Sequence, residues 1–250
     1  MRLWARWLQV IWLPALIVGA WQVASTERWL DPLFFPPPTE LVAMARKMAI
    51  SGELWRHVGS TLHRIVVGMA MGATGGIVLG LLMGVSGFAR KALEPLFSAL
   101  NATPKLALFP LVLLFLGVGE TSRLFLIAAA PLVPVAILTL DAVRNIPRGY
   151  VEMAENYGAT RAQVLRRVYL PASLPQILSA VRVALGRCLV TTISVEIIGS
   201  PSGIGNLIWM GWQTLATEKL YIGVILSGTM GITSHRLLRR LERGLAPWKA

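Results

Sequence analysis

The segment Glu152-Met-Ala-Glu-Asn-Tyr-Gly158 is followed, after nine further residues, by Val168-Tyr-Leu-Pro171. Its spacing can be written E-x-A-x3-G-x9-V-x-L-P. The segment is polar, but it lies between two strongly apolar stretches of the chain. This arrangement is typical of a structured loop that connects two spans of a membrane protein.

Local signals predict that this loop, residues 145–171, contains a first helix that ends in a tight turn. Asn145 and Pro147 provide a helix start, and Gly158 provides a stop. On this helix Met153, Ala154 and Tyr157 are spaced to share one face. The first half of the loop is therefore predicted to be a short helix with an apolar side.

A second short helix is predicted directly after the turn. Thr160 and Gln163 have the spacing of a capping box, and Pro171 is predicted to limit the helix. Its apolar face would consist of Val164, Leu165 and Val168, and its basic rim of Arg161, Arg166 and Arg167. The helix pattern alone leaves two interpretations open: a docking surface for another protein, or an amphipathic helix that arginines hold on anionic lipid.

The composition predicts an all-α integral membrane protein. Of the 250 residues 55% are hydrophobic and 14% charged, with a mean hydropathy of +0.62, which leaves too little polar surface for a soluble globule. The net charge of +12 does not indicate nucleic-acid binding, because the basic residues occur in short groups between apolar runs. One cysteine, Cys188, and three widely separated histidines predict neither a disulfide framework nor a metal site.

Six stretches are predicted to cross the bilayer, judged against the roughly 20 apolar residues that a span needs. They cover residues 8–26, 65–89, 95–116, 124–140, 177–198 and 220–234. The first is predicted to be a retained span rather than a cleaved signal peptide, because no small-x-small cleavage site follows it. Residues 197–217 are not predicted to span, since Gly199-Ser-Pro-Ser-Gly203 and Gly205-Asn206 would break a helix there.

The distribution of Lys and Arg predicts the orientation. With six spans, fourteen basic residues lie on the side of the motif loop and of both termini, against seven on the other side. By the positive-inside rule, the loop and both termini are predicted to be cytoplasmic. On the outer side, residues 39–50 are predicted to form an amphipathic helix on the membrane surface. One transmembrane domain, 1–250, with a core at about 60–240, accounts for the chain.

The motif loop resembles the cytoplasmic coupling loop, or EAA loop, of binding-protein-dependent ABC import permeases, whose pattern is EAA-x3-G-x9-I-x-LP. Met153 replaces the first Ala, and Val168 replaces Ile. Three further segments are similar to the nitrate/sulfonate/taurine branch of these permeases, and the similarity covers about residues 39–248. They are Pro104-Lys-Leu-Ala-Leu-Phe-Pro110, Phe115-Leu-Gly-Val-Gly-Glu120, and Leu241-Glu-Arg with Pro247-Trp248.

The resemblance implies a type I ABC importer permease fold in the bacterial inner membrane. It implies a second copy of the permease, two cytosolic ATPase subunits, a periplasmic or lipid-anchored substrate-binding protein and surrounding lipid as partners. The cargo would be a small anion such as a sulfonate, taurine or nitrate. The residues that it assigns to ATPase coupling are Glu152, Ala154, Tyr157, Gly158, Val168, Leu170 and Pro171.

The chain is not predicted to be an enzyme. It contains no G-x4-G-K-[ST] phosphate loop, so ATP and Mg²⁺ are expected on the partner ATPase, with no cofactor on this chain. Charged residues within the spans are rare, and Lys105, Arg187 and Glu196 are predicted to lie along the translocation path. A gradient-driven secondary transporter or channel is the alternative, although matching halves with broken helices are not evident.

Overall fold

A computed structural model describes residues 2–245 of the chain, with side chains described for 12–240, 242 and 244. The described residues are helical almost throughout and contain no strand, so the predicted all-α class is confirmed. Pro247, Trp248 and Lys249, which entered the sequence predictions, lie outside the described residues. The helices are α1 (Arg2–Thr26), α2 (Pro38–Ile50), α3 (Glu53–Val85), α4 (Gly87–Ala102), a 3-10 helix (Lys105–Leu108), α5 (Phe109–Leu116), α6 (Glu120–Arg144), α7 (Arg148–Asn156), α8 (Arg161–Val164), a π-helical turn (Leu165–Tyr169), α9 (Leu170–Gly199), α10 (Ile204–Gln213) and α11 (Thr217–Leu245).

Two helices of the described residues, α3 and α6, are long and apolar enough to cross a membrane. A third candidate is a broken span made of two segments that meet at an angle of 97°. The first segment is α4, and the second is the 3-10 helix together with α5. These helices match the second, fourth and third predicted spans. The first, fifth and sixth predicted spans fall on α1, α9 and α11, and their membrane crossing stays a prediction.

The chain divides into two compact units. The first unit contains the residues up to Ser60 together with Glu196–Gly228. The second contains Thr61–Val195 and the residues from Thr229 onward. Helices α3, α9 and α11 each contribute residues to both units, because each continues past a unit boundary.

In the first unit, α2 and α10 pack with the first turns of α3 and α11 around a small apolar core. Its buried members are Met48, Leu54, Leu207 and Ile222. Helix α2 agrees with the predicted amphipathic helix: Leu41 and Met48 are buried, whereas Val42 is 70% exposed. The position of this helix on the outer membrane surface stays a prediction.

Helix α10 explains why residues 197–217 are not a span. It has ten residues and therefore a length of about 15 Å, half of the bilayer core. The chain does leave the helical path after Gly199, as predicted. The expected break at Gly205 and Asn206 is wrong, because both residues lie in the first turn of α10.

In the second unit, α3 and α6 approach each other along a row of glycines. A Cβ atom at Gly76 would lie 2.6 Å from the carbonyl oxygen of Leu132, and one at Gly80 would lie 2.5 Å from that of Ala136. The row, which we call the glycine stripe, repeats every fourth residue and consists of Gly68, Gly72, Gly76, Gly80 and Gly84. Residues four apart lie on one helix face, so the stripe presents bare backbone to α6.

An ion-pair cluster joins the same two helices next to the stripe. Arg64 lies about one helical turn before Gly68, and its Nε is 2.6 Å from Glu120 Oε1. Glu120 also accepts from Arg123 Nη1 at 3.2 Å. Both arginines are buried, so the cluster fixes the register in which α3 meets α6.

The turn after α3 lies at Ser86, before the end of the second predicted span at residue 89. Helix α3 ends at Val85, and the hydroxyl of Ser86 accepts a hydrogen bond from Ala89 N–H at 3.3 Å. Serine is a favoured N-cap, so a new helix starts directly after it. Arg90 and Lys91 consequently lie within α4.

Replacing Gly80 by Ala tests the close contact between α3 and α6. The added methyl group has no room beside Ala136 and Thr139, and we expect a loss of about 1–3 kcal/mol in unfolding free energy. Gly59→Ala is the matched control, because open space surrounds Gly59 on the same helix and alanine favours helix formation. Thermal unfolding of the purified chain in detergent measures both. Equal melting temperatures for the two variants would contradict the proposed packing.

Candidate functional site

The predicted helix-turn-helix in the motif loop is present as α7 and α8. Helix α7 begins directly after Pro147, whose φ of −57° suits the start of a helix. Asn145 does not contribute to this start, and that part of the prediction is wrong. It caps the end of α6 instead, where its N–H donates to the carbonyl of Asp141 at 3.0 Å.

Gly158 ends α7 in the left-handed region, with φ +79°, as predicted. The N–H of Ala159 donates to the carbonyl of Ala154 at 3.0 Å, and the N–H of Gly158 donates to that of Glu155 at 2.9 Å. These two bonds form a Schellman motif. Space around Gly158 is open, so its positive φ alone favours glycine. Ala154, half-buried, supplies one of the two acceptors of this turn.

The predicted capping box is also present. Thr160 N–H donates to Gln163 Oε1 at 2.7 Å, and the Thr160 hydroxyl accepts from Gln163 N–H at 3.4 Å. These reciprocal bonds satisfy backbone donors at the start of α8. The angle between the two loop helices is therefore set by a Schellman motif on one side and a capping box on the other.

The second helix does not stop at Pro171 as predicted. The helical path continues from α8 through the π-helical turn into α9, and Pro171 is the second residue of α9. A proline ring clashes with the carbonyl four residues earlier, here that of Arg167, and provides no N–H. The wider π turn takes this carbonyl out of the usual register, which allows the proline to follow without a break.

Three side chains on α7 form an exposed apolar surface, which we call the α7 apolar face. Tyr150, Met153 and Tyr157 are exposed by 57%, 55% and 88%. Their spacing of three and four residues places them along one side of the helix. Ala154, which is predicted to share this face, is half-buried, and its backbone carbonyl accepts a hydrogen bond in the turn. The exposed face is larger than predicted because it includes Tyr150.

The remaining predicted coupling residues differ in their exposure. Glu152, Leu170 and Pro171 are exposed, whereas Val168 is half-buried. The predicted basic rim of Arg161, Arg166 and Arg167 is exposed as well. Val164 alone is buried, with 5% exposure, and anchors α8. The loop thus presents charged and apolar groups outward, with Val164 as its buried side chain and Val168 as a half-buried one.

A cavity of about 650 Å³ lies between the inner side of the loop and the corner that joins α3 to α4. The corner contributes Val85, Ser86 and Gly87, and the loop contributes Glu155, Arg161, Ala162, Val164, Leu165 and Tyr169. Side chains of the loop and of the corner do not fill this space. The loop therefore has room to shift relative to the corner.

Lys105 and Arg187, predicted from sequence to line the translocation path, lie on one cavity of about 440 Å³. Lys105 begins the 3-10 helix after the bend, and its Nζ donates to the carbonyl of Leu100 at 3.1 Å. Arg187 is exposed on α9, and its Nη1 donates to Asn101 Oδ1 at 3.2 Å. Two further side chains of the lining carry hydroxyl groups, namely Thr191 and Ser194.

Glu196, the third predicted path residue, lies in the last turn of α9, belongs to the first unit and is fully buried. Its carboxylate accepts the N–H of Gly205 at 2.9 Å. A Cβ atom at Gly203 would overlap this carboxylate, so the glycine is needed for the close approach. A negative charge at a helix N-terminus is favourable. This position supports a structural role for Glu196, and its place in the path stays a prediction.

Sequence reasoning missed three features that the structure brings out. Tyr150 lies outside the motif letters, although its spacing from Met153 was visible. Thr191 and Ser194 share a face of α9 with Arg187, at intervals of four and seven residues. The glycine stripe is a small-xxx-small repeat, which is itself a signal of close helix packing in membranes.

The sequence matches the family described as "Binding-protein-dependent transport system inner membrane component" over residues 76–247, and the chain belongs to this family. The taurine transport system permease protein TauC of Escherichia coli is 32% identical over 239 residues, covering 94% of this chain and 87% of that protein. The Escherichia coli permease protein SsuC, whose name refers to aliphatic sulfonates, is 36% identical over 236 residues, covering 94% and 90%. The predicted permease identity is confirmed.

The fold also resembles a solved structure of an ABC importer. An inward-facing form of the MetNI methionine ABC transporter matches with a TM-score of 0.62 and 21% sequence identity, over 75% of this chain and 95% of that chain. The predicted type I importer permease fold is thereby confirmed. The comparisons support the import permease and not the gradient-driven transporter that was its alternative.

Replacing Gly158 by Ala tests the Schellman turn. A non-glycine residue in the left-handed region costs about 1 kcal/mol, so the amides of Gly158 and Ala159 should exchange with solvent several-fold faster. Gly149→Ala is the control, because Gly149 is also in open space but has no positive φ. Hydrogen exchange with mass spectrometry on the purified chain measures both. Gly158→Asn should restore much of the protection, and equal exchange in all variants would contradict the assignment.

Proposed function

We propose that this chain, as the permease of a binding-protein-dependent importer, forms the path for a small anion such as a sulfonate, taurine or nitrate. The names of two similar permeases, TauC and SsuC, refer to taurine and aliphatic sulfonates. The observation that carries the anion assignment is the cavity on which Lys105 and Arg187 meet. A substrate-binding protein, periplasmic or lipid-anchored, delivers the solute.

The α7 apolar face is the proposed docking surface for a cytosolic ABC ATPase. Two aromatic rings and a methionine at this exposure provide the kind of anchor that protein interfaces use. Glu152 and the basic rim lie beside them and supply charge complementarity. We place ATP and Mg²⁺ on the ATPase and assign no catalytic residue or cofactor to this chain. Two copies of the chain and two ATPases make up the transporter.

The proposed orientation puts the coupling loop and both termini in the cytoplasm of a bacterium, with the chain crossing the inner membrane several times. Fourteen basic residues on that side against seven on the other support this orientation. The family description, an inner membrane component, agrees with the compartment. Reporter fusions at the C-terminus test the orientation directly.

The coupling of ATP binding to transport is proposed to use the continuous helical path from α8 to α9. ATP binding draws the two ATPases together and pulls on the docked loops. Because α8, the π-helical turn and α9 are continuous, a displacement of the loop acts on the helix that carries Arg187. The cavity beside the loop leaves room for this displacement.

Replacing Met153 and Tyr157 together by Ser tests the docking surface. Loss of two exposed apolar anchors should weaken ATPase association by about 2 kcal/mol, roughly 30-fold, without unfolding the chain. Trp29→Ser is the control, because Trp29 is 76% exposed and lies on the predicted outer side. Co-purification with the ATPase and ATP-driven uptake measure the effect. Normal association of the double variant would exclude the α7 face as the docking site.

Uptake by the complete transporter tests the function as a whole. Proteoliposomes are prepared with the permease and its ATPase in the membrane, and the binding protein is added outside. They should accumulate radiolabelled taurine or an alkanesulfonate only when ATP is enclosed in the lumen, on the side of the ATPase. The isolated chain should not hydrolyse ATP. Uptake driven by a proton or sodium gradient without ATP would instead identify a secondary transporter.

A further inference from the structure

We propose that the permease itself contains an anion-binding subsite, formed by Lys105, Arg187, Thr191 and Ser194 and fitted to a short organic sulfonate. The inference deepens the proposed function, because it places substrate selection partly in this chain rather than wholly in the binding protein. It depends on three observations: the convergence of two cations, the hydroxyl groups beside them, and the apolar remainder of the cavity wall.

Among the described residues, neither the half-buried Lys105 nor the exposed Arg187 has a carboxylate partner, whereas most of the other buried and half-buried cations are in ion pairs. Among the ion pairs between described residues, Arg64 and Arg123 pair with Glu120, Arg144 with Glu94, Arg182 with Glu242, and Lys219 with Glu53. None of these pairs includes Lys105 or Arg187. Each of the two makes one hydrogen bond to a neutral oxygen, that of Leu100 or Asn101.

These neutral contacts leave donor capacity unused. An ammonium group has three N–H donors and a guanidinium group has five, so most donors of Lys105 and Arg187 are free to bind a ligand. The neutral contacts also hold the two side chains in place. Two like charges on one small cavity repel each other, and an anion between them removes that repulsion. A negative ligand between the two cations is therefore favoured.

The backbone brings these groups together in a way that supports a built site. Lys105 stands directly after Pro104, where the 97° bend between α4 and the following pair of helices lies. Arg187, Thr191 and Ser194 occupy one face of α9. Gly186 precedes Arg187 on the cavity wall and adds no side chain that would narrow it. The bend and the helix face thus present charge and hydroxyl donors to one volume.

The chemistry of the lining favours an organic sulfonate. The Arg187 guanidinium can donate two parallel bonds to two oxygens of one group, and Lys105 acts as a point charge for the third. The remaining lining includes Leu106, Ala130 and Val190, which suit a short alkyl chain. A volume of about 440 Å³ accommodates such a molecule together with water. A bare inorganic anion would leave the apolar wall without a partner.

Binding to the permease alone tests this subsite, since it requires neither ATP nor the binding protein. The full-length chain, purified in a neutral detergent without anionic lipid, is titrated with ³⁵S-labelled ethanesulfonate in a scintillation proximity assay. We expect saturable binding that weakens at least tenfold in Lys105→Met and in Arg187→Met. Lys91→Met, an exposed cation on α4, is the matched control and should bind like the wild type.

Milder variants keep the test decisive if a charge-removing variant does not fold. Lys105→Arg should retain binding, and Thr191→Val, which keeps shape and removes a hydroxyl, should weaken it several-fold. Competition ranks the ligand class: ethanesulfonate should displace the label at lower concentration than nitrate or propionate. Stronger competition by nitrate would overturn the organic class, and displacement by phosphatidylglycerol headgroup analogues alone would indicate a lipid phosphate site.

The outcome is distinguishable from a failure of the proposed function. Absent or charge-independent binding in a permease that still supports ATP-driven uptake would overturn the subsite and leave the importer assignment in place. Conversely, charge-dependent binding in a chain that never supports uptake with its ATPase and binding protein would uphold the subsite and overturn the assignment.

Discussion

The close contact between the glycine stripe of α3 and the backbone of α6 is the interaction on which the second unit depends. Helices in a bilayer gain little from burying apolar side chains against each other, because lipid is equally apolar. Glycines instead allow the two helix backbones to approach closely, and the resulting van der Waals contact stabilises the pair. Carbonyl oxygens of Leu132 and Ala136 lie so near the stripe that even a methyl group has no room. The ion pair of Arg64 with Glu120 adds a polar contact between the two helices beside Gly68, the first glycine of the stripe.

This contact makes α6 the central element of its unit and determines where the motif loop lies. In the most apolar 18-residue segment of α6, 61% of the sequence is buried, against 33% in the corresponding segment of α3. Along α6, Leu126 and Ile127 pack with Phe109 and Cys188, so the bent helices and α9 are arranged around it. The loop leaves directly from the end of α6 and returns as the start of α9. Its position is therefore determined largely by the packing of α6 and α9, while the loop itself contributes one buried side chain, Val164.

Local chemistry made part of this architecture predictable. The turn at Gly158 and the capping box of Thr160 were predictable because each depends on a few neighbouring residues. Pro171 was misjudged since its neighbours adopt a π turn, which sequence rules for proline do not anticipate. Asn145 and Ser86 show a related limit: each carries a capping signal, but only the packed helices decide which helix it caps. The glycine stripe was readable at its four-residue period and was overlooked.

The meeting of Lys105 and Arg187 could be suspected from their rarity in apolar stretches but could not be derived, because it depends on a bend whose angle the sequence does not encode locally. The carboxylates show why the two cations stand together without an acid. Glu120 is committed to two buried arginines, and Glu196 is committed to the first turn of α10. A carboxylate among the lining residues would pair with Lys105 and Arg187 and neutralise the positive charge of the cavity. Its absence from the described lining leaves a positive, partly apolar volume on α9, the helix that continues directly from the motif loop. On the proposed translocation path, such a volume would suit a solute that binds weakly enough to leave again.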